Sequence, residues 1–146
     1  MNDQNRTIIF IHFLTDPAGF DFENPLEQKV RAEKKEGDVL YSLDNFSDSL
    51  TLHYAKKLIS DSEQITVICQ LQGEDVPTGS AFSLLNQLIK KKDSQLFCNR
   101  DYAPLKPMMI RLKGRVFATG EELMKMLFEW KPISILLKRK PVSKRL

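Results

Sequence analysis

Two short apolar runs constrain this chain more than any other feature. Residues 7–14 (TIIFIHFL) and 65–71 (ITVICQL) are rich in Ile, Val and Phe and almost uncharged. Between and after them lie segments whose apolar residues recur every three to four positions. A strand buried on both faces reads as a continuous apolar run, whereas an amphipathic helix reads as a 3.6-residue period. Their alternation is the pattern of an α/β domain with a parallel sheet, where ligands sit at the carboxyl ends of the strands.

The first run ends in Thr15-Asp16-Pro17-Ala18-Gly19, a turn by composition. Asn24-Pro25-Leu26-Glu27 opens a helix: Asn24 caps, Pro25 suits the first helical position, and Glu27 reaches back as a capping-box carboxylate. Gly37 stops that helix near Glu36, and residues 38–43 (DVLYSL) form a short strand. Phe46, Leu50, Tyr54 and Leu58 recur at four-residue steps, widened by Ile59. They predict a helix from Asn45 or Ser47 to Ser60 with this apolar stripe, capped by Asp44, Asn45 or Ser47.

After the second run, Thr78-Gly79-Ser80 opens a third helix with Ala81, Phe82, Leu85, Leu88 and Ile89 on its apolar face. Lys90, Lys91 and Lys92 face the negative end of its dipole. Residues 94–98 (SQLFC) make a fourth strand. Tyr102 to Pro107 reads as irregular, and residues 108–112 and 115–117 flank Lys113-Gly114 as a hairpin or one strand with a turn. In the last helix Thr119-Gly120-Glu121-Glu122 matches a capping box, and Leu123, Met126, Leu127 and Trp130 form the apolar face before Pro132. Residues 133–137 read as an edge strand or a docking segment.

Right-handed crossovers turn these elements into a three-layer α/β sandwich with a mostly parallel sheet of four or five strands, in the flavodoxin-like order 2-1-3-4-5. One domain is expected over residues 1–131, followed by a basic tail at 132–146. The last sixteen residues carry six Lys or Arg and no acid, so removing them from the net charge of +3 leaves the first 130 residues at −3. Basicity therefore reports the tail, not the body. No apolar run approaches the ~20 residues of a membrane span, and the N-terminal MNDQNR lacks a signal-peptide pattern. Cys69 and Cys98 fall in predicted strands as small buried hydrophobes, so a reducing cytoplasm is the expected compartment.

The strand exits supply the candidate cleft: Asp16 and Gly19 after the first strand, Asp44 after the second, Asp75 after the third and Asp101 after the fourth. Acids at four loops suit a hard cation, but Asp and Asn are also what turns and caps select, so no metal is expected. Thr78, Gly79 and Ser80 are the candidate anion site, where free N–H groups and the helix dipole favour a phosphate or carboxylate. Simple capping by Thr78 or Ser80 is the competing reading. His12 reads as a hydrogen-bonded core residue and His53 as part of a solvated face. Walker, GxGxxG, GxSxG, CxxC and zinc patterns are missing, as are the paired acids of a phospho-receiver.

From Asp44 to Cys98 the pattern resembles the nucleoside 2-deoxyribosyltransferase-like group, and more loosely TIR domains. The carriers are Leu58-Ile59-Ser60-Asp61-Ser62 before an apolar strand, then Asp75 and the Gly79-Ser80 pair opening a helix. The resemblance implies a flavodoxin-like sheet and a nucleotide-sized pocket. The nucleophilic Glu of the transferases falls on Ser83, which cannot form their ester-linked intermediate. The TIR-type Glu is not evident in residues 47–57.

Three functions follow as expectations. The first is a non-catalytic ligand-binding or protein-interaction module, without cofactor, taking a small anionic ligand or nucleotide at the strand-end cleft. The second is an enzyme acting on nucleosides or nucleotides. The third is nucleic-acid binding by Lys138, Arg139, Lys140, Lys144 and Arg145 of the tail. A homodimer through Trp130 and the PISILL segment is a further expectation.

Overall fold

Parallel strands need crossovers, and here each crossover is a helix. The computed structural model describes residues 6–19, 23–91 and 94–129. In chain order these form β1 (Arg6–Leu14), α1 (Pro25–Glu33), β2 (Val39–Asp44), α2 (Ser49–Asp61), β3 (Gln64–Gln72) and α3 (Ala81–Leu88). They continue as β4 (Ser94–Cys98), α4 (Lys106–Arg111), β5 (Arg115–Val116) and α5 (Gly120–Glu129), with 3-10 turns at Pro17–Gly19 and Ala103–Leu105. The five strands are all parallel in the order β2-β1-β3-β4-β5. This is the expected α/β arrangement.

β1 lies inside the sheet, between β2 and β3, and its side chains are apolar on both faces. Ile11 pairs in register with Leu43 of β2 and Cys69 of β3. Ile8, Phe10, Ile68 and Phe97 meet Val30 of α1 and Leu123, Met124 and Leu127 of α5. On the opposite face Ile9, Ile11, Phe13 and Val67 meet Leu52, Ala55 and Ile59 of α2 and Leu84, Leu85 and Leu88 of α3. Each such side chain, fully buried, contributes roughly 1.5–3 kcal/mol of transfer free energy, which makes the two layers the main source of stability. No helix among the described residues is long and apolar enough to cross a membrane.

Several local expectations are corrected. α2 begins at Ser49, and its cap is Asp48, whose side chain accepts from Thr51 N at 2.8 Å. Asp44, Asn45 and Ser47 are engaged elsewhere, as described below. The buried face of α2 is Leu52, Ala55 and Ile59, while Phe46, Leu50 and Tyr54 of the expected stripe are exposed. α1 ends at Glu33, short of Gly37, because Asp38 gathers the chain into a turn: its carboxylate accepts from Arg6 N and Lys35 N. Glu27 does not reach back as a capping-box carboxylate; its side chain turns inward to His12. Residues 106–111 are helical rather than irregular or extended, and Pro107 sits in the first turn, where a missing N–H costs nothing. Half of the expected capping box of α5 forms: Thr119 Oγ1 accepts from Glu122 N at 3.1 Å, while Glu122 Oε1 reaches one residue further back and accepts from Ala118 N. Trp130, the 133–137 segment and the tail, with Lys138, Arg139, Lys140, Lys144 and Arg145, lie outside the described residues.

Candidate functional site

The carboxyl edge of the sheet is built by a side chain that continues a ladder. Asn45 follows the last paired residue of β2 and donates its backbone N–H to His12 O at 3.2 Å. Its buried carboxamide accepts from Leu14 N at 2.8 Å and donates to the carbonyls of Leu14 at 2.9 Å and Pro77 at 2.7 Å. Its own carbonyl accepts from Ser80 N at 3.0 Å. One asparagine thus ties the exits of β1, β2 and β3 together. Asn99 after β4 bonds Leu71 in the same way, at 2.9 and 3.1 Å.

This staple decides what Thr78-Gly79-Ser80 does. Gly79 has φ +57°, and a Cβ there would lie 2.0 Å from the Asn45 carbonyl oxygen. Ser80 Oγ donates to Ser47 O at 2.9 Å and makes no capping bond to α3, so the capping reading does not hold for Ser80. The segment is turned against Asn45, with the Ser80 N–H already committed to it. Asp44 is similarly committed, its Oδ1 accepting from Phe46 N at 2.6 Å. Asp16 accepts from Ala18 N at 2.8 Å within an exposed turn that ends at Gly19.

Asp75 and Asp101 are brought together. Both line an open crevice of about 770 Å³, with Thr15, Glu74, Val76, Arg100 and Tyr102 among its other walls. A smaller, more enclosed pocket of about 330 Å³ adjoins it, sharing Arg100, Asp101 and Tyr102 and continuing to Cys98, Leu105, Met109 and Val116. Arg100 Nη2 donates to the carbonyls of Gly73 and, at 3.4 Å, Glu74. Its Nε–H is buried with no acceptor among the described residues. Tyr102 donates its hydroxyl to Val76 O and lays its ring 5.7 Å from that of Phe13, which fixes the wall between the two spaces. Asp16, Gly19, Asp44, Thr78, Gly79 and Ser80 are not among the residues lining either one.

Three carboxylates face one guanidinium across this crevice, so the local field is against a bare anion. Burial pushes the Cys98 thiol up, the wrong direction for a nucleophile. Among the described residues no group of three or more His, Cys, Asp or Glu is placed to hold a metal ion.

On the other face of the sheet, period-two alternation places His12, Ser42, Gln70 and Gln72 beneath the start of α1. His12 is fully buried, and its Nε2 lies 2.7 Å from Glu27 Oε1. Ser42 Oγ donates to the same oxygen at 3.1 Å, Arg31 donates to Glu27 Oε2 at 2.8 Å, and Asn24 Nδ2 donates to Gln70 at 2.8 Å. Burial raises the Glu27 carboxyl, but the bonds from His12, Arg31 and Ser42 and the charge on His12 outweigh it and hold it at about 2. His12 is thus a hydrogen-bonded core residue, as its place within an apolar run predicts.

Sequence reasoning passes over Tyr102, which lies in a stretch without helix or strand signals, and gives Glu27 a capping role in place of its inward one. For the inward role of Glu27 a signal exists: three neighbouring strands place polar residues on one face near their carboxyl ends, and such a patch needs a partner from the covering helix. No family model matches the chain, and no match is found among curated proteins.

Proposed function

We propose that this protein is a binding module for a small, donor-rich polar molecule of about nucleoside size, taken up in the crevice between the loops that follow β3 and β4. The reading rests on the crevice itself, about 770 Å³ with Glu74, Asp75 and Asp101 on its walls. That volume falls in the usual range for small-ligand sites. Carboxylates only accept hydrogen bonds, so they select vicinal hydroxyls or amines. The buried Nε–H of Arg100 offers one donor for a ligand acceptor. The adjoining pocket, walled by Tyr102, Leu105, Met109 and Val116, suits a flat ring.

The test is calorimetric titration of the full chain with adenosine, AMP and inorganic phosphate. Adenosine binds more tightly than AMP, and phosphate alone does not bind. Asp75→Asn and Asp101→Asn each weaken adenosine binding about tenfold, the loss of one charge-assisted hydrogen bond, at unchanged melting temperature. Phosphate binding as tightly as adenosine, or no response to any of the three at millimolar concentration, refutes the reading.

A further inference from the structure

α2 carries two apolar rows, and the fold uses one of them. Leu52, Ala55 and Ile59 are buried against the sheet, and α3 closes one flank, where Gln87 Nε2 donates to Lys56 O and Ser60 Oγ. The second row points away. Leu50 is 75% exposed and Tyr54 49%, one helical step of four residues apart, with exposed Phe46 on the turn before the helix. Tyr54 stacks its ring at 5.0 Å on Tyr41 of β2, and Val39, two residues earlier on the same strand face, is 46% exposed. Through the Tyr41–Tyr54 contact the exposed apolar row of α2 meets β2, which ends the sheet on that side. Contiguous exposure of this kind marks an interaction surface rather than ordinary scatter.

We infer that this surface is where two copies of the chain associate, α2 against α2 in antiparallel sense about a twofold axis. Two observations select a second copy as the occupant. The first is shape: Leu50 and Tyr54 lie on an i, i+4 row, and two identical rows interdigitate at about −50° in the commonest helix-packing class. A twofold contact requires such a self-complementary patch. The second is charge. The start of α2 carries exposed Asp48, and its later half carries half-buried Lys56 and exposed Lys57 against one acid, Asp61, 3.7 Å from Lys57, which leaves that half positive. Antiparallel docking sets the Asp48 end of one copy beside the Lys56–Lys57 end of the other and opposes the helix dipoles. Parallel docking sets like charges together.

Sedimentation equilibrium of the full chain across a concentration series tests the inference. The wild-type chain shows a monomer–dimer equilibrium. Leu50→Glu, at a solvent-facing site, raises the dissociation constant about 30-fold, the effect of losing one central interface residue, with an unchanged melting temperature in protein dilute enough to be monomeric. Lys56→Glu with Lys57→Glu weakens the dimer as well, and this weakening fades in high salt. A chain that stays monomeric at every concentration overturns the inference. So does a dimer that Leu50→Glu leaves intact.

Discussion

Asn45 and Asn99 hold equivalent places in two different strand pairs. Each donates its backbone N–H to the neighbouring strand, to His12 O or Cys69 O, both at 3.2 Å. Each then turns its carboxamide onto the residue two further along, Leu14 or Leu71, bonding both its N–H and its C=O. The side chain replaces a backbone rung at the point where β2 and β4 peel away. Asn45 adds a third bond, to Pro77 O, and is the more buried of the two. Asn45→Ala therefore lowers stability by about 2–4 kcal/mol and Asn99→Ala by about 1–2 kcal/mol, because buried backbone groups lose their partners. Urea unfolding of the two variants checks the order.

Gly79 is the second point of failure. A methyl group there meets the Asn45 carbonyl at 2.0 Å in a left-handed backbone. Gly79→Ala costs about 2–3 kcal/mol, and the same unfolding measurement reads it. Loss below 0.5 kcal/mol contradicts this close approach.

The Glu27–His12 pair sets an acid limit. A carboxyl held at about 2 in the folded state, against an ordinary value near 4.5, gives stability that is present above that ordinary value. It is lost as pH falls from about 4.5 towards 2. The loss is on the order of 3 kcal/mol at most. Glu27→Ala removes this acid-dependent part and takes the Nε2 partner from a buried imidazole, lowering stability at neutral pH by about 2–3 kcal/mol. Melting curves between pH 2 and 7 for both chains separate the two effects.

The two rows of α2 are distinguished by truncation. Leu52→Ala empties a core position and costs about 2–4 kcal/mol. Leu50→Ala, solvent-facing in the single chain, changes the stability of the monomer by less than about 0.5 kcal/mol. Equal costs in dilute protein contradict this orientation of the helix.

The sheet is legible because its inner strands are apolar on both faces, and the order 2-1-3-4-5 is one of the few that right-handed crossovers allow. What escaped was any choice between two local solutions that distant residues settle. Periodicity finds Leu50 and Tyr54 as readily as Leu52 and Ile59; the small Ala55 admits the sheet and decides which row is buried. Asn24 and Glu27 compose a capping motif, yet a buried His12 claims the carboxylate. In the cleft, Asp75 and Asp101 were legible as strand-exit acids. Thr78-Gly79-Ser80 suggested an anion site because Asn45, 35 residues before Ser80, is invisible to local reading. Tyr102 was hidden by the prolines around it.

Cys69 and Cys98 lie opposite one another in register on adjacent strands, both buried, and burial lifts both thiols above their ordinary value. Thiolate is the reactive form, so a colourless aromatic disulfide reagent added to the native chain reacts slowly at Cys98, which lines the smaller pocket, and reaches Cys69 only once β3 and β4 separate. The second release of yellow product then clocks the opening of the sheet centre without any added label, and immediate reaction of Cys69 in the native chain contradicts the packing that protects it. Oxidants reach Cys69 only after the molecule has already come apart, which makes its oxidation a consequence of unfolding here and not a cause.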